Sequence, residues 1–288
     1  MNILLFVPSY NDTIMAHNIS VKFLENNYVS KALIVDDSDD PKCVEVAKRI
    51  KHKKLEVVRR ERYGKWAAWM LALEQARNYD GLLEVDSDVE VKTPDVLISS
   101  LKNYDVVTAY QEIVLPPKGL GRIIGTVYQR MHQELKDTGK FNMGGQVVAL
   151  SKRVVLTLLD YGFFNEPVIA DDHVVCLAAY VLGFRCTTVD CGLRIRLPST
   201  LKEWIKYRSR HRGAIKWAEK YVALKTGKPS ETAVISQFDF KISRNYFLKN
   251  LFKSSIFFAP LILMVFAVGS VLQIENQIKW SRLKSEKF

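Results

Sequence analysis

Two aspartates that stand two residues apart, Asp86 and Asp88, have the chemistry and the spacing to bind a divalent cation. They directly follow the short apolar run Leu82–Val85, so both side chains can lean toward one point beyond the end of a strand. Carboxylate oxygens are the hard ligands that Mg²⁺ and Mn²⁺ prefer, often together with substrate phosphates. Because the same spacing also occurs in ordinary surface turns, the prediction of a metal site depends on the position after a buried strand.

Two further polar clusters follow the apolar runs nearest the start of the chain. Residues 8–12 are Pro-Ser-Tyr-Asn-Asp, and residues 36–40 are Asp-Asp-Ser-Asp-Asp. Carboxylates so close together repel one another unless a cation or hydrogen-bond donors compensate. We therefore expect the three clusters to meet at one polar ligand site.

A second carboxylate pair, Asp171 and Asp172, stands directly before the largely apolar segment 173–182. Gly183 is a plausible stop for a helix over that segment. Acidic side chains are favoured at a helix start, and simple capping there contributes about 0.5–2 kcal/mol. A neighbouring acid also raises the pKa of one carboxylate of such a pair, which suits a general base. We predict that Asp172 is the base, with capping as the alternative.

A basic stretch at 208–213 lies in a predicted helix that begins with a capping box between Thr200 and Glu203. Arg208, His211 and Arg212 fall on one helical stripe. The same stripe holds Leu201, Trp204, Ile205, Ile215, Ala218 and Val222. Because cations among core positions need buried anions as partners, we expect these three side chains to face a diphosphate or the second carboxylate pair.

Short apolar runs alternate with helical patterns over the first 110 residues. The runs are Ile3–Val7, Ala32–Val35, Leu55–Val58, Leu82–Val85 and Val106–Ala109. The clearest helical stripe consists of Trp66, Trp69, Met70, Leu73 and Ala76. This alternation predicts an α/β fold with a mostly parallel central sheet and flanking helices. In such sheets ligands bind at the carboxyl ends of the strands, which is where the polar clusters occur.

Six segments, in order, resemble the motifs of the family 2 glycosyltransferases. They are VPSYND at 7–12, VDDSDD at 35–40, RYGKWAAWMLAL at 62–73, VDSD at 85–88, ADD at 170–172 and RSRHRG at 208–213. The resemblance covers residues 1–215 and implies the GT-A type of nucleotide-diphospho-sugar transferase fold. It also implies a nucleotide-sugar donor and a divalent metal, Mg²⁺ or Mn²⁺.

The resemblance further implies roles for single residues. Those that would border the nucleoside, its base or the phosphates are Pro8, Tyr10, Asp12, Asp37 and Lys65. Asp86 would face the ribose or a metal-bound water, and Asp88 would hold the metal. Asp171 and Asp172 match the family's acidic catalytic motif, in which Asp171 replaces the usual Glu. His211 lies near the position of the family's Trp, between Arg208 and Arg212.

The paired glycines Gly144 and Gly145 precede another apolar run. Glycine permits a close approach between backbone and ligand. In the family this region borders the donor and acceptor sugars, so both glycines are predicted wall positions. A simple turn before a strand is the alternative.

The C-terminal third of the chain is basic and contains an uncharged apolar segment. Residues 1–193 hold 23 basic and 25 acidic side chains, whereas residues 194–288 hold 19 basic and 6 acidic ones. Residues 254–274 carry no charge, and as a helix they would extend about 31 Å, close to the roughly 30 Å of a hydrocarbon core. We expect them to form a membrane-anchoring helix, spanning, interfacial or re-entrant, with a buried core helix as the alternative.

These observations predict two regions. Residues 1–225 would form the catalytic domain, and residues 226–288 a basic linker with the C-terminal anchor at 254–274. Basic side chains beside an anchor favour an anionic membrane surface, and we do not expect a nucleic-acid partner. The chain has four Cys and no CxxC pair, which suits a catalytic domain on the cytoplasmic side of the membrane.

The sequence therefore predicts a metal-dependent, inverting glycosyltransferase. It would move a sugar from a nucleotide-sugar donor to a lipid-linked or glycan acceptor near the membrane. Two alternatives are a nucleotidyltransferase acting on a sugar phosphate and a non-catalytic membrane scaffold with a vestigial nucleotide pocket. The sugar, the acceptor, the linkage and the oligomeric state stay open at this point.

Overall fold

The computed structural model describes residues 1–60, 64–137, 139, 141–143 and 145–228. Within them, the side chains of residues 120, 135, 201, 205–213 and 215 are not described. The strands are β1 (Ile3–Ser9), β2 (Val29–Asp36), β3 (Leu55–Arg59), β4 (Gly81–Val85), β5 (Val106–Val114), β6 (Val147–Ser151) and β7 (Cys186–Arg196). The helices are α1 (Thr13–Leu24), α2 (Pro41–Arg49), α3 (Lys65–Ala76), α4 (Pro94–Ser100), α5 (Leu120–Asp137), α6 (Lys152–Asp160), α7 (Asp171–Val181) and α8 (Leu201–Thr226).

The strands form one sheet in the order β3-β2-β1-β4-β6-β5-β7. Neighbouring strands are parallel except β6, which runs antiparallel to both β4 and β5. The prediction of a mostly parallel α/β sheet with flanking helices is confirmed. The chain leaves β1 toward β2 on one side, while β4 lies on the other side. The carboxyl ends of these three strands therefore border a topological switch point, where open α/β sheets bind ligands.

Helices cover both faces of the sheet, and each face has its own apolar core. The core on the α3 side contains Trp69, Leu73 and Ala76, all with no exposed surface. Trp66 and Met70 pack against the same core from partly buried positions. The helical stripe predicted from the sequence is confirmed, and it fixes which face of α3 meets the sheet.

Helix α8 begins at the predicted capping box, in which Thr200 and Glu203 hydrogen-bond to each other's backbone. Trp204, Ala218 and Val222 are buried, as the stripe predicts. The side chains of Arg208, His211 and Arg212 lie outside the described residues, so their contact with anions stays a prediction.

No helix in the described parts of residues 1–228 is long and apolar enough to cross a membrane. The apolar segment 254–274 lies outside the described residues. Its role as an anchor, and the boundary between the two predicted regions, therefore stay predictions.

Candidate active site

A cavity of ≈ 430 Å³ opens at the switch point. It is lined by Pro8, Ser9, Tyr10, Asp12, Val35, Asp37, Gly64, Lys65, Ala68, Asp86, Ser87 and Asp88. The structure thus brings seven of the residues predicted for the donor and the metal to one cavity, whereas the predicted wall residue Gly145 does not line it. They come from the ends of β1, β2 and β4 and from the start of α3, because parallel strands place their carboxyl ends on one rim.

Asp12 ties the end of β1 to the acidic turn that follows β4. One carboxylate oxygen accepts hydrogen bonds from Ser9 Oγ (3.0 Å) and from the Tyr10 backbone N–H (2.9 Å). The other accepts from the hydroxyl of Ser87, which stands between the two aspartates of that turn. Asp12 therefore sets the spacing between two walls of the cavity.

The carboxylates at the end of β2 are held by the chain itself. Asp36 has no exposed surface and accepts hydrogen bonds from Thr13 Oγ1 (2.8 Å) and Ser38 Oγ (2.6 Å). Asp37 lines the cavity, accepts from the Gly64 N–H (3.1 Å) and lies 3.5 Å from Arg60 Nε. Burial raises the pKa of Asp37, although the guanidinium of Arg60 opposes this shift. Asp36 is thus a structural anchor, and Asp37 is the one whose carboxylate borders the cavity.

The acidic turn after β4 presents one partly buried and one exposed carboxylate, Asp86 and Asp88. The Asp86 backbone N–H donates to the Gln146 carbonyl at 2.9 Å, which fixes the turn against the residue preceding β6. Burial raises the pKa of Asp86 to about 6; nearby Lys65 opposes the shift and Asp88 adds to it. This close pair of carboxylates suits a divalent cation.

Among the described residues no group of three or more His, Cys, Asp or Glu side chains could hold a metal ion. Asp86 and Asp88 would therefore be the described side-chain ligands, with water or substrate oxygens completing the shell. That arrangement is usual for Mg²⁺ in phosphate-binding sites.

The ammonium group of Lys65, the first residue of α3, connects this turn to the second carboxylate pair. Its Nζ lies 2.9 Å from Glu84 Oε1, 2.9 Å from Asp86 Oδ1 and 3.4 Å from Asp171 Oδ2. Burial by itself would lower the pKa of Lys65. The surrounding carboxylates have the larger, opposite effect, so the pKa lies well above its ordinary value. One carboxylate of each pair, Asp86 and Asp171, thus contacts the same cation, although the two residues are 85 positions apart in sequence.

Asp171 is also held by Trp69, which lies one helical turn after Lys65 on α3. The Trp69 indole N–H donates to Asp171 Oδ2 at 2.6 Å, and the Trp69 ring stacks on Phe164 with centroids 5.8 Å apart. Burial raises the pKa of Asp171, against the opposing effects of the Lys65 ammonium and the Trp69 N–H. Asp171 begins α7, and the residue before it, Ala170, adopts the left-handed conformation (φ 59°).

Asp172 faces a different neighbour. A Cβ at Gly145 would lie 1.4 Å from Asp172 Oδ2, so the carboxylate occupies the space that glycine leaves free. His173 Nδ1 lies 3.6 Å from Asp172 Oδ1. Burial favours a higher pKa for Asp172, but His173 outweighs it, and the pKa falls below its ordinary value. The carboxylate of the pair whose pKa rises is therefore Asp171, and Asp172 stays ionised.

Sequence reasoning missed two residues of this site, Glu84 and Trp69. Both belong to segments that the sequence assigns to the core, the run Leu82–Val85 and the stripe of α3. A charged residue inside an otherwise apolar strand was the available signal for Glu84. The prediction that Gly145 forms part of the wall stays untested for ligand contact, and Gly144 lies outside the described residues.

Comparisons with known proteins indicate which family the N-terminal part of the chain resembles. Residues 5–134 match the family model described as glycosyl transferase family 2. The match spans somewhat less than half of the chain, and it indicates that this part resembles the family 2 glycosyltransferases, as the sequence motifs predict. No curated protein matches the sequence significantly.

Solved structures confirm the GT-A fold. Two crystal structures of glucosyl-3-phosphoglycerate synthase from Mycobacterium tuberculosis match with TM-scores of 0.50 and 0.51 at 13% and 17% identity; each match covers 79% of this chain and 81% of that chain. A crystal structure of GalNAc-T7 matches with a TM-score of 0.52 at 14% identity, over 85% of this chain and 58% of the other. At these identities the likeness concerns the fold alone.

Proposed function

We propose that the protein transfers a sugar, with inversion, from a uridine-diphosphate sugar to a hydroxyl group of a lipid-linked or glycan acceptor. The observation that carries the proposal is the position of Lys65, whose ammonium lies against Asp86 of the predicted donor site and Asp171 of the predicted catalytic pair. The choice of donor is supported by two of the similar folds. One was crystallised with Mn²⁺, UDP and glucosyl-3-phosphoglycerate, the other with UDP, GalNAc and Mn²⁺.

Donor binding would use the cavity at the switch point. Asp37 and Tyr10 border the nucleoside side, and Asp86 and Asp88 border the diphosphate side. A Mg²⁺ or Mn²⁺ ion held by the last two would stabilise the negative charge that develops on the leaving diphosphate. Lys65 adds a fixed positive charge at the same end of the cavity.

Proton removal from the acceptor hydroxyl is assigned to Asp172. Its neighbour Asp171 has Oδ2 engaged by the indole of Trp69, whereas Asp172 lies against the open backbone of Gly145. Because His173 lowers its pKa, Asp172 is ionised at neutral pH and can accept a proton, but it is a weaker base than the raised pKa expected from the sequence would make it. General bases of this kind contribute about 10²–10⁴-fold to a rate.

A membrane-near acceptor is proposed from the sequence of residues 194–288. These hold 19 basic and 6 acidic side chains next to the apolar segment 254–274. Flotation of the full chain with vesicles that contain phosphatidylserine tests this part. We expect co-flotation that is lost when Leu263 and Val265 are both changed to Asp. Equal flotation of the two proteins would show that this segment does not anchor the chain.

A panel of nucleotide sugars with Mg²⁺ or Mn²⁺, scored by release of nucleoside diphosphate, tests the reaction. We expect release from a UDP-sugar that depends on the metal and on an acceptor, with the opposite anomer in the product by NMR. Release of inorganic diphosphate from a nucleoside triphosphate would instead identify a nucleotidyltransferase. A protein that binds UDP but turns over nothing in either assay would be the vestigial scaffold.

The variant Asp172→Asn tests the assignment of the base. We expect turnover to fall by about 10²–10⁴-fold while UDP binding with Mn²⁺ is retained. Unchanged turnover would refute the assignment and leave Asp172 as a helix cap.

A further inference from the structure

The most unusual side chain in the fold is Glu84, an acid in the middle of a buried strand. It has no exposed surface, and its neighbours along β4, Leu83 and Val85, are equally buried. Across the sheet it is paired with Phe6 of β1 and Val148 of β6. A carboxylate in such a place has a high desolvation cost and needs a specific partner.

That partner is Lys65, whose Nζ lies 2.9 Å from Glu84 Oε1. A lysine ammonium has three protons to donate, and three carboxylates lie around this one: Glu84, Asp86 and Asp171. Glu84 belongs to the rigid centre of the sheet, whereas the other two stand on a turn and at a helix start. The central strand thus supplies the fixed point of the cluster.

Stability alone does not account for this pair. Replacement of a buried ion pair by apolar side chains is often neutral or stabilising, so a leucine in β4 would serve the core at least as well. Lys65 would keep two carboxylate partners without Glu84. What Glu84 adds is a third contact that defines where the ammonium stands between the donor acids and the catalytic pair.

We propose that Glu84 is a positioning residue of the glycosyltransferase, which acts by holding the Lys65 ammonium between Asp86 and Asp171. The inference rests on the proposed function, because it assigns Lys65 to the reaction that Asp86 and Asp171 serve. Glu84 itself lies beneath the cavity and touches the reaction only through Lys65.

The test compares Glu84→Gln and Glu84→Leu with a matched control, Asp105→Asn. Asp105 is also a buried carboxylate, 2.8 Å from Arg153 Nη2, but it precedes β5 and lies at the opposite end of the strands. With a UDP-sugar and Mn²⁺ we expect kcat to fall by about 10–100-fold, more for Leu than for Gln, because small misplacements at a reaction centre cost this much. The control is expected to retain the wild-type kcat even if its melting temperature falls.

A double-mutant cycle with Lys65→Met shows whether Glu84 acts through Lys65. If it does, adding Glu84→Leu to Lys65→Met leaves kcat unchanged within about twofold. A Glu84→Leu enzyme with wild-type kcat, or a full additional loss in the Lys65→Met background, would overturn the proposal.

A crystal structure of Glu84→Leu gives an answer that requires no substrate and no stable Lys65 variant. We expect Lys65 Nζ to leave its position between Asp86 and Asp171. An unmoved ammonium would refute the positioning role. A wild-type protein that releases no nucleoside diphosphate would refute the proposed function, and the crystal structure would still decide whether Glu84 holds Lys65.

Discussion

The carboxylate of Asp172 lies where a side chain on residue 145 would begin. A Cβ built on Gly145 would be 1.4 Å from Asp172 Oδ2 and 2.3 Å from Cγ, far inside any permitted contact. The residue that follows, Gln146, accepts the backbone N–H of Asp86 through its carbonyl. One short segment before β6 therefore makes room for the predicted base and fixes the turn of the predicted metal site.

Gly145→Ala should therefore displace Asp172 directly and affect the donor cavity, which Gly145 does not line, much less. Because a shift of about 1 Å near the chemistry can cost 10²-fold in rate, we expect kcat to fall by about that factor while UDP binding with Mn²⁺ stays within a few-fold. Steady-state kinetics and calorimetry measure the two effects. Gly125→Ala in α5 is the control, since its Cβ would meet the end of the Leu115 side chain at 3.0 Å and Pro116 Cδ at an ordinary contact distance of 3.6 Å. Equal activity of both variants would contradict the steric argument.

Trp69→Phe should loosen Asp171 while largely preserving the aromatic stack on Phe164. The change removes a hydrogen bond to a charged group, which contributes about 1.5–3 kcal/mol. Urea denaturation measures the expected decrease in the free energy of unfolding. Trp66→Phe, at a partly buried position on the same helix, is the control and should lower the free energy of unfolding by less. If the free energy of unfolding falls equally in the two variants, the hydrogen bond from the Trp69 indole N–H does not contribute to stability.

Lys65→Met should destabilise the fold strongly at neutral pH. Three carboxylates lose their shared cation, and breaking a buried pair of this kind costs about 3–5 kcal/mol. The matched control is Lys31→Met, because Lys31 pairs only at the surface with Glu56 and such pairs contribute about 0–1 kcal/mol. Chemical denaturation at pH 7.5 measures the free energy of unfolding of both variants. If Lys65→Met lowers it no more than Lys31→Met does, Lys65 does not stabilise the three carboxylates.

Acid should weaken Mn²⁺ binding and stabilise the Asp86 region at the same time. Burial is the main reason why the pKa of Asp86 rises from its usual 3.8 to about 6. The Lys65 ammonium opposes this rise, and the nearby carboxylates add to it. Between these two values the folded protein holds a proton that the unfolded chain releases, so the contribution of Asp86 to stability is full below pH 3.8 and is lost as the pH rises through 6. Metal binding needs the ionised form, so its affinity should rise over the same range.

Calorimetric titration with Mn²⁺ at pH 5 and pH 7.5 measures this effect. In Asp86→Asn the pH dependence should be largely abolished along with much of the affinity. An affinity for Mn²⁺ that is the same at both pH values in the wild type would mean that Asp86 is not a ligand.

The sequence alone was sufficient for the parts of the fold that depend on local pattern. The five apolar runs became β1 to β5, the stripe of α3 faces the core, and the capping box at Thr200 begins α8. The polar clusters at the ends of β1, β2 and β4 meet in one cavity because parallel strands share a rim. For the same reason, the residues predicted for the nucleotide could be placed without knowledge of any side-chain contact.

What the sequence did not show depends on pairing between distant segments. An apolar run marks β6 in the sequence, but its antiparallel position between β4 and β5 is set by tertiary packing. Glu84 and Trp69 sit within core patterns, and their partners, Lys65 and Asp171, lie 19 and 102 residues away. Periodicity reports which face of an element is buried, but it does not report which charge lies opposite.

Helix α3 carries both Lys65 and Trp69, which lie one turn apart. Both side chains contact the same oxygen of Asp171, Lys65 through an ion pair and Trp69 through a hydrogen bond. A shift or rotation of α3 would break the ion pair and the hydrogen bond to Asp171 at the same time. Chimeric proteins in which α7 is exchanged for that of a related protein should therefore fold and function only when the incoming α7 fits the resident α3. In such exchanges α3 and α7 should be replaced together.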